Sequence, residues 1–143
     1  MGLNPKIWGP HYWFVIHTIA LNYPHSPNDT TKKKYYDFIY SLPLFIPVNE
    51  IAIEFSKLLD LYPVAPYLDS RDAFIRWTHF IHNKINTKLE KPELSLHDFY
   101  AQYYEEYKPK TQQTIDQYKL KQKIIYFIIV LGLGGSIYYL YDK

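Results

Sequence analysis

Two stretches carry side chains able to grip a planar ligand. The first is W-G-P-H-Y-W-F-V-I-H, Trp8 to His17; the second is H-N-K-I-N, His82 to Asn86, followed by Lys91-Pro92. Indole and imidazole rings pack on fused aromatic rings. The amides of Asn83 and Asn86 offer both donors and acceptors, and Lys91 offers a charge to an anion. The same residues have a plainer reading, in which a Trp and a His one turn apart belong to a core and helical amides face water. His79 and His82, three apart, could share a metal ion, but no third ligand is evident and no metal is expected. The chain contains no cysteine. That excludes disulfides, thiolate metal sites and thiol catalysis.

Helices must position these groups, because no segment shows the two-residue alternation of a sheet and the pattern predicts an all-α domain. The first helix is expected to open at Gly9-Pro10, with proline near its first position, and to end at Tyr23-Pro24. Asp29 or Thr30 caps a second helix reaching about Ser41, where Pro43 closes it. Asn49 caps a third running to Leu61, with Ile51, Phe55, Leu58 and Leu59 at helical spacing. Ser70 caps a fourth from Arg71 to about Leu89, with Phe74, Trp77 and Ile81 on its apolar face. Ser95 with Asp98 resembles a capping box for a fifth, Leu96 to about Tyr107.

A chain of 143 residues holds one compact domain of about 100 residues and a tail. The boundaries read from the pattern are residues 1–107 for the helical domain, 108–123 for a polar and basic linker, and 124–141 for an apolar tail. That tail, I-I-Y-F-I-I-V-L-G-L-G-G-S-I-Y-Y-L-Y, carries no charge. As a helix it rises ~27 Å, close to the thickness of a bilayer's hydrocarbon layer. A single transmembrane anchor is expected, with tyrosines near both ends as interfacial residues. Lys119, Lys121 and Lys123 precede it, which places the helical domain on the cytosolic side. Gly132 and Ser136 form one small-xxx-small pair. M-G-L-N-P-K lacks the apolar run of a signal peptide, and Lys6 stands where myristoylation prefers Ser or Thr. The net charge is +2, and Arg71 and Arg76 are the only arginines. Nucleic acid is therefore not an expected partner.

The blocks Trp8–Pro24 and Ser70–Pro92 together resemble the Erv/ALR family of FAD-linked sulfhydryl oxidases, whose W-G-x-x-x-W-x-x-x-H and H-N-x-[VI]-N-x-x-L-x-K-P patterns recur here in order. The resemblance implies a four-helix bundle with a short fifth helix, usually dimeric. It implies that Trp8, Trp13 and His17 shape a flavin pocket, while His82, Asn83, Asn86 and Lys91 contact the adenosine and phosphates of FAD. It also implies a redox pair P-C-x-x-C at the start of the third helix. Here P-V-N-E-I stands in that place, with Val48 and Ile51 at the two cysteine positions. His79 likewise stands at a cysteine position of the family, with Ser95 near the expected partner. Neither valine nor isoleucine is a nucleophile.

Engineered removal of cysteine normally uses Ser or Ala, whereas valine and isoleucine suit a dry pocket. A natural, redox-dead relative is the expected origin. The lysine-, isoleucine- and tyrosine-rich usage, together with the anchor, resembles the products of large DNA viruses. The expected function is a membrane-anchored pseudoenzyme, a structural or interaction protein linking an internal virion membrane to a capsid or assembly partner. The alternative is an FAD-binding flavoprotein with thiol-independent or partner-assisted redox activity.

Overall fold

A computed structural model describes residues 3–141. Among them, six α-helices follow in order: α1 (Pro5–Leu21), α2 (Asp29–Ser41), α3 (Asn49–Leu61), α4 (Arg71–Lys88), α5 (Leu96–Glu105) and α6 (Lys110–Tyr141). Short 3-10 turns occupy Leu42–Phe45 and Ala65–Tyr67, and no strand occurs among the described residues. The chain divides into two compact units, the first ending at Tyr100 and the second beginning at Ala101. The all-α class read from the sequence is correct.

The caps explain most helix starts. Ser70 Oγ accepts from the Ala73 amide at 3.2 Å, as expected for α4. Ser95 Oγ accepts from the Asp98 amide at 3.1 Å and donates to the Asp98 carboxylate at 2.7 Å, closing the α5 cap. Three expectations shift. α1 begins at Pro5 rather than Gly9-Pro10, because Asn4 Oδ1 accepts from the Lys6 amide at 3.0 Å and Pro5 takes the first helical position. Asn-Pro is thus a complete start signal in itself. Pro10 lies inside the helix without an N–H for the Lys6 carbonyl, and both residues are exposed, so water can serve that carbonyl. Asn28, not Asp29 or Thr30, caps α2 by accepting from the Thr31 amide at 2.8 Å. Val48, not Asn49, holds the cap position of α3, and no side chain caps it.

Within the first unit α1 packs on α4, and Phe74, Ile81, Leu59, Ile39 and Val64 are almost wholly removed from water. Each such side chain contributes about 1.5–3 kcal/mol. Aromatic polar tips serve chain ends that helices leave unbonded. Tyr40 donates to the Leu59 carbonyl at 3.3 Å, Trp77 Nε1 to that of Tyr62 at 3.0 Å, and Tyr23 to that of Leu68 at 2.7 Å. The first two bonds tie α2 and α4 to the end of α3, and the third ties the chain after α1 to the turn before α4.

In the second unit α6 is continuous from Lys110, so the stretch expected to be a polar linker is helical. Thr114–Tyr141 is long and apolar enough to cross a membrane, and its most apolar window is wholly unburied. Lys108 pairs with Glu105 at 2.7 Å and Asp116 at 3.6 Å. Ser136 Oγ donates to the Gly132 carbonyl at 2.8 Å, which satisfies the serine hydroxyl within its own helix.

Candidate functional site

Trp13 and His17 lie one turn apart on α1 and meet His82 of α4. The Trp13 and His82 rings stack with centroids 4.1 Å apart and planes 11° from parallel. His17 Nε2 and His82 Nδ1 are 2.9 Å apart and share one hydrogen bond, its direction set by the tautomers. Phe55 of α3 faces Trp13 at 6.2 Å, and Phe99 of α5 faces His17 at 4.3 Å. His17 is buried, and its Nδ1 has no partner. Trp13 and His82 are half-buried. The result is a half-buried platform of two rings stacked on each other, the second of which is held at its edge by His17.

Both imidazoles are held neutral. Burial lowers His17 from 6.5 to about 3, with the charges of His82 and His79 adding to the effect. Burial also lowers His82 from 6.5 to about 4, followed by His79 and Lys91. No carboxylate acts on either ring to favour the imidazolium.

The other expected residues are placed differently. Asn83 turns its amide onto the backbone of Leu94, donating from Nδ2 to the carbonyl at 2.8 Å and accepting from the amide at 3.0 Å. Asn86 is buried, and its carbonyl accepts from Lys91 N at 2.9 Å. With Glu90 N on the Thr87 carbonyl at 3.1 Å, this closes α4 in a Schellman turn, with Glu90 at φ 55°. Lys91 leaves that turn exposed, beside the His82 end of α4. Trp8 is not part of the cluster. Five residues before Trp13 it lies on another row of α1, edge-on to Tyr12 at 5.0 Å, with Nε1 donating to the Leu3 carbonyl at 3.2 Å.

Val48 and Ile51 are half-buried at the start of α3. Ile51 is one turn ahead of Phe55, on the α3 face that reaches Trp13. The sequence reading did not single out Phe55 or Phe99 as walls of the site. Phe55 was findable, being one turn past Ile51; Phe99 was not, since its approach to His17 joins helices far apart in the chain. A separate shallow groove of about 280 Å³ between the ends of α3 and α4 is lined by Leu58, Leu61, Lys84 and Lys88 among others, and by none of the expected site residues. No group of three or more metal-binding side chains occurs among the described residues.

A helical bundle with paired Trp-His and His-Asn motifs on facing helices defines the class, and comparison with known proteins agrees. The Erv1/Alr family model matches residues 10–108. The chain belongs to the Erv1/Alr family. It is 33% identical over 92 residues to the FAD-linked sulfhydryl oxidase erv2 of Schizosaccharomyces pombe, a match covering 64% of this chain and 47% of that protein. It is also 33% identical over 94 residues to the probable FAD-linked sulfhydryl oxidase of Acanthamoeba polyphaga mimivirus, covering 65% and 66%. The chain thus spans about half to two thirds of the length of these relatives. The crystal structure of the FAD binding domain of Erv1 from Saccharomyces cerevisiae superposes with a TM-score of 0.65 at 28% identity, covering 72% of this chain and 96% of that one.

Proposed function

We propose that this chain is a redox-silent sulfhydryl oxidase relative, anchored in a membrane by α6, that works as a structural or interaction module. One observation carries the reading. A family of sulfhydryl oxidases is represented here by a chain without a single cysteine, and Val48 and Ile51 stand where the redox pair is expected. Neither side chain can attack a disulfide or hold a thiolate. The apolar α6 supports the anchor, and the lysines at 119, 121 and 123 support a cytosolic first unit. Relatives in a mimivirus and an invertebrate iridescent virus support a viral setting, with a membrane joined to a capsid or assembly protein. The full chain, purified in detergent and given dithiothreitol, is expected to consume oxygen no faster than buffer alone. Sustained dithiol-driven turnover would overturn the reading.

A second copy is the partner we assign to the outer face of α1. Ile7 and Val15, 68% and 52% exposed, share that face at i and i+8, and Leu44 and Phe45 stand exposed in the 3-10 turn that Tyr12 binds. Light scattering on the detergent-purified chain should give the mass of two protomers. A mass of one protomer would dismiss the pairing.

A second reading keeps FAD, and the neutral Trp13–His82 platform favours it. The residues fit a planar aromatic ligand: the platform is prebuilt, half-exposed and uncharged, and His17 sets its angle. Trp13 and His82 would hold a ring face and Lys91 a phosphate; Asn83 is already engaged by Leu94. When bound, the flavin would supply a two-electron acceptor. Without thiols the chain's own residues only bind and orient it.

A further inference from the structure

We infer that His79 and Asn83 are positioning residues: they staple the backbone of Leu94 to α4 and thereby hold Phe99 as a lid over the buried ring of His17. The staple takes both sides of one residue. The Leu94 carbonyl accepts from Asn83 Nδ2 at 2.8 Å and from His79 Nε2 at 2.9 Å, while the Leu94 amide donates to Asn83 Oδ1 at 3.0 Å. A carbonyl has two lone pairs, so neither donor displaces the other.

The next residue transmits the constraint. Ser95 caps α5, so fixing Leu94 fixes where α5 begins and the direction in which its first turn projects. Phe99 falls in that first turn, 4.3 Å from His17 and 5.7 Å from His79. Phe99 is 4% exposed and His17 3%. A lid of this kind needs a reason to stay shut, because His17 Nδ1 beneath it lacks any partner. Water would satisfy that atom, and leaving it bare costs about 1–3 kcal/mol. Three hydrogen bonds on Leu94 supply the opposing force. Cysteine is expected at position 79 from the family resemblance; here the tie is made without sulfur.

Around His17, α4 presents His82 and His79, with Lys91 just beyond; α1 presents Trp13 and α5 Phe99, which do not titrate at this site. Opening the lid should therefore act on His17 chiefly by admitting water, which relieves the desolvation that keeps the ring neutral. The experiment is a histidine ring titration by NMR on the ¹⁵N-labelled full chain in micelles. Asn83→Ala should raise the His17 midpoint by about one unit or more. Thr87→Ala, which removes the exposed hydroxyl bonds to the Glu93 carboxylate (2.8 Å) and the Asn83 backbone carbonyl (3.0 Å) but leaves the Asn83 side chain on Leu94, should leave it where it is. A folded Asn83→Ala protein with an unmoved His17 titration would overturn the inference, because a residue serving stability alone would not seal the ring. Hydrogen exchange on the unaltered chain gives a test that does not depend on the variant folding. The Leu94 amide should exchange at least about tenfold more slowly than that of Glu93; equal exchange would refute the staple.

Discussion

Between pH 7.5 and pH 5 the first unit is expected to lose about 2–4 kcal/mol of unfolding free energy. His17 and His82 drive the loss. In the folded chain burial holds them near 3 and 4, whereas in the unfolded chain both return to 6.5. The unfolded state therefore binds more protons throughout the interval from 6.5 down to the folded values, and stability falls as pH falls. Above about pH 7 both states are neutral at these rings and the loss vanishes. Each imidazole contributes up to about 2 kcal/mol at pH 5, from 1.5 units at 1.36 kcal/mol per unit. Their shared hydrogen bond couples the two titrations, so the sum is an upper bound. Carboxylates add little in this interval because their unfolded values lie near 4.

Urea unfolding read by tryptophan fluorescence measures this directly, since Trp8, Trp13 and Trp77 all belong to the first unit. The variant His82→Phe keeps an aromatic face for Trp13 and removes one of the two titrating rings, so it should show about half the slope. Equal midpoints at pH 7.5 and pH 5 would mean that water reaches these histidines and that the site is looser than its geometry states. At pH 5 both rings are still neutral in the folded chain, so the platform is lost only as the first unit unfolds. Loss of stability and loss of the candidate site should thus follow the same pH dependence.

The helices were largely legible because their signals are local. Ser70 and Ser95 cap where side-chain chemistry said they would, and Phe74, Trp77 and Ile81 line the buried face of α4. The misplaced starts all lie earlier in the chain than expected: Asn4 rather than Gly9-Pro10, Asn28 rather than Asp29 or Thr30, and Val48 rather than Asn49. In each case the earlier residue has the extended backbone that a cap requires. The site was legible only in part. Trp13 and His17 share a row of α1 by spacing alone, but the His17–His82 bond joins residues 65 apart in the chain. The role of Asn83 was not readable, because an amide that binds a ligand and one that binds a loop carry the same letter. Resemblance supplied the motif, and geometry divided it into platform, support and staple.

Restoring the pair with V48C/I51C is expected to create a thiol at position 48 that alkylates about tenfold faster at pH 7 than an ordinary cysteine. The position decides this. Residue 48 is the cap of α3 and has no side-chain bond to the helix end, so the first amides of α3 point at whatever replaces valine. Those amides and the helix dipole favour a thiolate over a thiol. Residue 51 is three further on, on the same helix face, close enough for the two sulfurs to bond with modest adjustment. Rates of iodoacetamide labelling across pH 5–9 give the thiol's titration, and a mass lower by about 2 Da after air oxidation reports the disulfide. A thiol titrating near the ordinary 8.5 would show that the start of α3 is not the electropositive end its backbone describes. Oxygen consumption by the same variant with dithiothreitol then separates the two functional readings. Turnover that appears with V48C/I51C and is absent from the unaltered chain means that the flavin site is intact and only the thiols are missing. A disulfide that forms once in air and is reduced by dithiothreitol, with oxygen consumed no faster than by dithiothreitol alone, means that the bundle persists as a scaffold, with Trp13, His17 and His82 serving the packing they give one another.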